Sequence, residues 1–251
     1  MIRTIAWREF RSLFLSPLAF VILAVTQLIL ARLFLAHVNL FLMVESRLPT
    51  LPNPPGLTTL VAAPLLGNVG VLLLLIIAPL ATMRLVADER HNKTLPLLFS
   101  APISMRDIVL GKYLGVLGFF LVITALALAM PLALLIGGHL DFGMLACGLL
   151  GLVLLAAALA AVGLFVSTLT QYPAVAVMGT FGILFLLWIL GYANSGHGLG
   201  RRIVATLSIV DHYEPFLRGL FSTANVVYYL VLTLTCLLFA VRKLESERVG
   251  A

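Results

Sequence analysis

The sequence predicts an all-α polytopic membrane protein: six transmembrane helices, an N-terminal interfacial amphipathic helix and a short cytoplasmic helix. Three observations predict it. Hydrophobic residues make up 62% of the 251 and charged residues only 10%, against about 45–50% and about 25% in soluble domains. So few charges cannot cover a water-facing surface, and the mean hydropathy of +1.14 agrees. Six apolar runs reach the length of about 20 residues that crosses a bilayer. The basic residues then fall mostly into alternate loops. A soluble enzyme, a disulfide scaffold and a disordered chain are excluded. The formal charge of +6 is read as membrane sidedness, with no nucleic-acid partner.

Residues 1–16 form the first unit. Ile2, Ile5, Ala6, Phe10, Leu13 and Phe14 share one helical face, and Arg8, Arg11, Thr4 and Ser12 the other. This basic amphipathic pattern suits a helix lying in the inner interface, with Trp7 at headgroup level. Arg3 and Glu9 interrupt the apolar arc. Residues 17–251 form a single six-span domain. The expected spans are Pro17–Ala36, Leu60–Met83, Ile108–Ile136, Phe142–Leu169, Ala174–Tyr192 and Val226–Val241, the third able to bend at Pro131. The first run is too long for a signal peptide and lacks a small-residue cleavage site, so it is read as a span.

With the N-terminus inside, the inner face receives Arg3, Arg8, Arg11, Arg84, Arg90, Lys93, Arg106, Lys112, Arg242, Lys243 and Arg248. The outer face receives Arg47, Arg201, Arg202 and Arg218, and Arg32 can snorkel outward. Eleven against four selects both termini inside, in a cytoplasmic membrane.

The spans carry no ionisable residue near mid-membrane, where pumps and intramembrane proteases need one. No phosphate-cradling G-x-x-x-x-G-K-[ST] occurs; Gly111-Lys112-Tyr113 lacks its flanks. No catalytic residue, metal site or cofactor is expected in this chain. Cys147 and Cys236 sit in apolar runs without ligand spacing and read as buried small hydrophobes. Gly111 and Gly115 form a G-x-x-x-G pair that lets helices approach closely, within the subunit or between subunits.

Two loops are informative. In the inner loop 87–107, Thr94 can cap a short helix with Pro96 in its first turn. Leu95, Leu98 and Phe99 then share an apolar face suited to a partner's groove. Pro102 stops that helix and Ser104 can cap the next, with Asp107 favouring its N-terminus. In the outer loop 194–224, a Gly-rich start precedes Tyr213, Phe216, Leu217, Leu220 and Phe221 at helical spacing, which predicts a helix on or dipping into the outer leaflet.

The run Glu89…Thr94-Leu95-x-Leu97-Leu98-x-Ser100-x-Pro102-x-Ser104…Gly111-Lys112 resembles the corresponding stretch of ABC-2 type exporter permeases, with the flavour of the gliding-motility (GldF-like) branch. Arg8-Glu9-Phe10…Ser16-Pro17, Ser167-Thr168-Leu169-Thr170 and His212-Tyr213-Glu214-Pro215-Phe216-x-Arg218-Gly219 resemble further motifs of that family. Lys93 stands where the family commonly has Gly, and Pro96 where it has an acid. The resemblance implies that loop 87–107 is a coupling helix seated on a separate cytoplasmic ATPase subunit, which binds the ATP and Mg. It assigns coupling to Glu89, Thr94, Leu95, Leu98 and Ser100; the apolar face adds Phe99. It also implies a second permease copy or paralogue, and an outer-face accessory protein is a further partner to consider. A non-transporting membrane scaffold or assembly subunit, and an intramembrane enzyme, are the competing readings.

Overall fold

The computed structural model describes residues 1–45, 56–94, 104–136, 140–192 and 206–250. Helix α1 spans Ile2–Leu15 and α2 spans Pro17–Glu45. The second span is built in four pieces: a π-helical turn Thr58–Ala62, α3 (Ala63–Leu72), a second π turn Leu73–Ile77, and α4 (Ala78–Thr82). Short α5 (Ala87–His91) follows. Then come α6 (Met105–Ala133), α7 (Phe142–Leu169), α8 (Pro173–Tyr192), α9 (Ile209–Leu217) and α10 (Thr223–Gly250). Among the described residues there is no strand, and six helices are long and apolar enough to cross a membrane.

The fourth span lies where the sequence predicts it. The first does not stop at Ala36 but continues to Glu45. No helix breaker intervenes, and the His37 ring binds the Leu33 carbonyl at 2.7 Å, satisfying that polar group on the helix itself. At 1.5 Å per residue, α2 is about 43 Å long against a hydrocarbon core of about 30 Å, so it projects beyond the bilayer. The third span starts earlier, at Met105, because Ser104 Oγ accepts the Asp107 N–H at 3.1 Å. It runs through Pro131 and tightens into a 3-10 turn at Leu134–Ile136. The sixth extends past Val241 to Gly250, carried by helix-forming residues and a Lys243–Glu247 pair at 3.2 Å.

The broken second span follows from its prolines. Pro64 and Pro79 lack an N–H, and their rings crowd the carbonyls four residues back. A π turn ends just before each, at Ala62 and Ile77, and shifts those carbonyls out of α register.

Helix α7 is the hub: 67% of its best membrane window is buried, against 17% for α8 and 22% for α2. Its run of Ala and Gly lets neighbours close in on several sides. A Cβ on Gly163 would collide with Thr82, and one on Gly151 would meet Phe216 at 2.6 Å. Both described chain ends lie on one face. There α1 packs against the start of α6, and Glu247 near the end of α10 pairs with Arg90 of α5.

Candidate functional site

The polar residues of that face gather around α5. Its N-terminus is capped from another span. Ser167 Oγ, fully buried near the end of α7, accepts the N–H groups of Val86 and Ala87, each at 3.1 Å, and donates to the Met83 carbonyl at 3.2 Å. One hydroxyl thus satisfies the turn that ends the second span and the start of α5. The C-terminus closes on itself: Thr94 N–H reaches Glu89 O at 2.9 Å and Lys93 N–H reaches Arg90 O at 3.2 Å. These are the two bonds of a Schellman motif, with Lys93 at φ 55° in its left-handed position. A glycine fits that position best, which explains why Lys93 stands out in the run. Thr94 therefore terminates α5, its hydroxyl also donating to Glu89 O at 3.1 Å.

Glu89 points inward. Its Oε1 accepts from Lys112 Nζ at 2.7 Å and lies 3.8 Å from Arg8. Lys112 Nζ also donates to Glu9 Oε1 at 3.1 Å, and Arg8 donates to the same oxygen at 3.0 Å. Lys112 is 2% exposed, so a buried ammonium sits between carboxylates from α1 and α5. Two cations and two anions balance, as burial demands. Arg90, the next residue of α5, donates to the Thr168 carbonyl at 2.8 Å and to Glu247 at 2.7 Å. His91 lies against Tyr172, ring centroids 5.9 Å apart. Within five residues α5 is tied to α1, α6, α7 and α10, and touches the turn before α8.

The approach of α1 depends on missing side chains. A Cβ on Gly111 would come within 2.6 Å of Ile5, and one on Gly115 within 2.7 Å of the Glu9 Cβ. The G-x-x-x-G pair thus packs within the subunit and brings Glu9 to Lys112. Phe14 adds an edge contact to Phe119 at 5.3 Å.

Of the residues the sequence marks for coupling, Glu89 and Thr94 belong to this collar. Leu95, Leu98, Phe99 and Ser100 lie outside the described residues, as does the short helix expected to follow Thr94. Sequence reasoning missed Glu9, Arg90, Lys112, Ser167 and Glu247 as site members. One signal was visible: Glu9 interrupts the apolar arc of α1, and that arc is the face turned to α6.

On the opposite face, α9 is shorter than the apolar spacing suggests and packs that spacing against protein. Tyr213 and Phe216 are buried in protein: Tyr213 Oη donates to the Leu66 carbonyl at 2.9 Å, and Phe216 fills the space at Gly151. Burial pushes the Tyr213 phenol well above its usual range and keeps it a neutral donor. The helix stops at Leu217, and Gly219 at φ 77° closes it, so Leu220 and Phe221 lie beyond it. Among the described residues no cluster of three or more His, Cys, Asp or Glu could hold a metal.

A search of curated proteins finds no match. The family model described as ABC-2 family transporter protein matches residues 3–241, a stretch that takes in α1, α5, Lys112, Ser167 and α9. The chain therefore belongs to the ABC-2 family of transporter proteins.

Proposed function

We propose that the chain is the permease subunit of an ABC exporter, of the gliding-motility type, in which loop 87–107 seats on a separate ATPase subunit. The observation that carries this reading is the collar around α5. The loop leaves α5 at Thr94 and re-enters the bundle at Ser104, so a pull on it acts on α5 and α6 together. Through Glu89, Lys112 and Glu9 that pull reaches α1, and through Ser167 and Arg90 it reaches α7 and α10. A neutral, largely buried ion cluster has good and bad registers and few between, which suits a two-position element.

In this reading Glu89 and Thr94 fix the base of the coupling element, while Leu95, Leu98, Phe99 and Ser100 meet the ATPase. ATP and Mg bind in that partner. The collar face is cytoplasmic, both termini are inside, and the membrane is the bacterial inner membrane. A second permease copy completes the exporter, using the apolar surface that α2, α8 and α10 leave uncovered.

Leu98→Asp tests the proposal. A carboxylate placed in an apolar groove with no partner costs several kcal/mol, and about 3 kcal/mol is roughly a hundredfold in affinity. Co-expression with the ATPase should lose co-purification for Leu98→Asp and keep it for Asn92→Asp. If a folded Leu98→Asp chain retains its partner as well as Asn92→Asp does, loop 87–107 is not the coupling element.

A further inference from the structure

Helix α1 turns two unlike faces in two directions. Ile5, Glu9, Phe10 and Phe14 meet α6 in order, at Gly111, Gly115, Gly118 and Phe119, so the two helices run side by side in the same direction. The apolar arc that would bury α1 in lipid is therefore covered by protein. What remains outward is the stripe Arg3, Trp7, Arg11 and Leu15, one residue in four along the helix, every member exposed.

The charges of this stripe have no counter-ion. Glu9 is the only carboxylate of α1, and it faces inward to Lys112. Arg8 shares that Glu9, whereas Arg3 and Arg11 make no ion pair among the described residues. Shallow grooves of about 630 and 620 Å³ flank Trp7, which lines both. Arg3, Phe10 and Leu114 of α6 line the first, and Arg8, Arg11 and Leu15 the second. Each sets a guanidinium beside hydrocarbon. Leu114 belongs to the outward side of α6, where Leu110 and Leu121 are also exposed apolar side chains of a membrane-spanning helix. The stripe is thus continuous with a lipid-covered surface. Basic residues that flank a span, with an indole among them, sit at headgroup level.

We propose that the outward stripe of α1 binds anionic phospholipid at the bilayer surface. Arg3 and Arg11 hold headgroup phosphates on either side of Trp7, and Trp7, Leu15 and Leu114 lie against the first acyl carbons. A zwitterionic lipid carries its own ammonium and returns no net charge to the two free guanidiniums; an anionic lipid does. An acidic protein segment would match the charge and leave Trp7, Leu15 and Leu114 without an apolar cover. The site does not depend on the coupling role and is read on the chain alone.

The chain has two tryptophans, so Trp188→Phe leaves Trp7 as the reporter. The full chain is placed in bilayers of equal phosphatidylglycerol and phosphatidylcholine, one or the other dibrominated, and quenching of Trp7 measures which lipid lies against it. At low salt phosphatidylglycerol should be preferred about tenfold, about 1.4 kcal/mol. Most of that preference should go at about 1 M salt, where the screening length falls to about 3 Å. Arg3→Gln with Arg11→Gln should bring the ratio near one, and Arg3→Lys with Arg11→Lys should keep most of it. Arg242→Gln, at an exposed basic residue of α10, should leave it unchanged. Equal quenching by the two lipids at low salt overturns the proposal, and so does a preference that survives the paired Gln change. Trp7 quenched by neither lipid overturns it too, and marks the stripe as a protein contact or a water-facing surface.

Discussion

Two helices of this protein end in the same way with different residues. Gly219 closes α9 and Lys93 closes α5, each with positive φ and the same pair of backbone bonds. An L-residue with a Cβ is disfavoured in that conformation by about 1–2 kcal/mol, part of which glycine gives back in unfolded-state entropy. Lys93→Gly should therefore stabilise the end of α5 by about 0.5–1 kcal/mol, seen as slower hydrogen exchange at the Thr94 amide. Unchanged or faster exchange counts against the cap. Lys112 is the opposite kind of residue, indispensable because it is surrounded. Lys112→Met leaves the Glu9 and Glu89 carboxylates facing each other in a largely buried site, and breaking such a pair costs about 3–5 kcal/mol. Thermal unfolding in detergent should show a large loss for Lys112→Met. The triple change Glu9→Gln, Lys112→Met, Glu89→Gln should recover most of it; equal losses would mean that packing, not charge, is what Lys112 supplies. Little of this was legible in sequence. Ser104 capping α6 is a local rule and was read correctly, whereas Glu9 and Lys112, which bind each other, lie 103 positions apart.

At the scale of elements, local pattern located helices well and their partners poorly. The fourth span was found to the residue from its apolar run, whose limits coincide with the helix ends: Asp141 caps the start, accepting from Gly143 and Met144, and Thr170 leaves the helical conformation. The ends of α2 and α10 were underestimated: the expected spans stop just before a polar residue, His37 in one and Arg242 in the other, and the helix continues through both. Helix α9 was placed in the outer leaflet because apolar spacing on an amphipathic helix does not say whether lipid or protein covers that face; here α7 and the second span do. The Gly111/Gly115 pair was equally silent about its partner, which is α1. Gly115→Leu should force α1 off α6, because the new side chain has no room against the α1 backbone at Ala6 and Phe10. Trypsin should then cut faster after Arg8 and Arg11, with the spans intact. Unchanged cleavage would show that α1 is held by the ion cluster and not by glycine packing.

At the scale of the whole molecule, α7 forms the centre while α2, α8 and α10 turn most of their surface outward. The collar and both chain ends share one face, and α9 caps the other. Which face meets the cytoplasm decides whether an ATPase can reach loop 87–107 at all. The positive-inside balance of eleven basic residues to four, read from the sequence, is the ground for proposing that the collar face is cytoplasmic, and cysteine labelling tests that proposal. Cys147 and Cys236 are first replaced by Ala to give a silent background. Leu220→Cys lies beyond α9 at an exposed position, and Ser246→Cys is exposed near the end of α10. An impermeant maleimide should label Leu220→Cys in spheroplasts with an intact inner membrane. Ser246→Cys should react only after permeabilisation. The six spans require the two sites to lie on opposite sides, so labelling of both from outside would break the topology itself. Labelling of Ser246→Cys alone would keep the fold but invert it. Glu89, Lys112 and the loop would then lie where no cytoplasmic ATPase could dock, and the permease proposal would fall with the fold left standing.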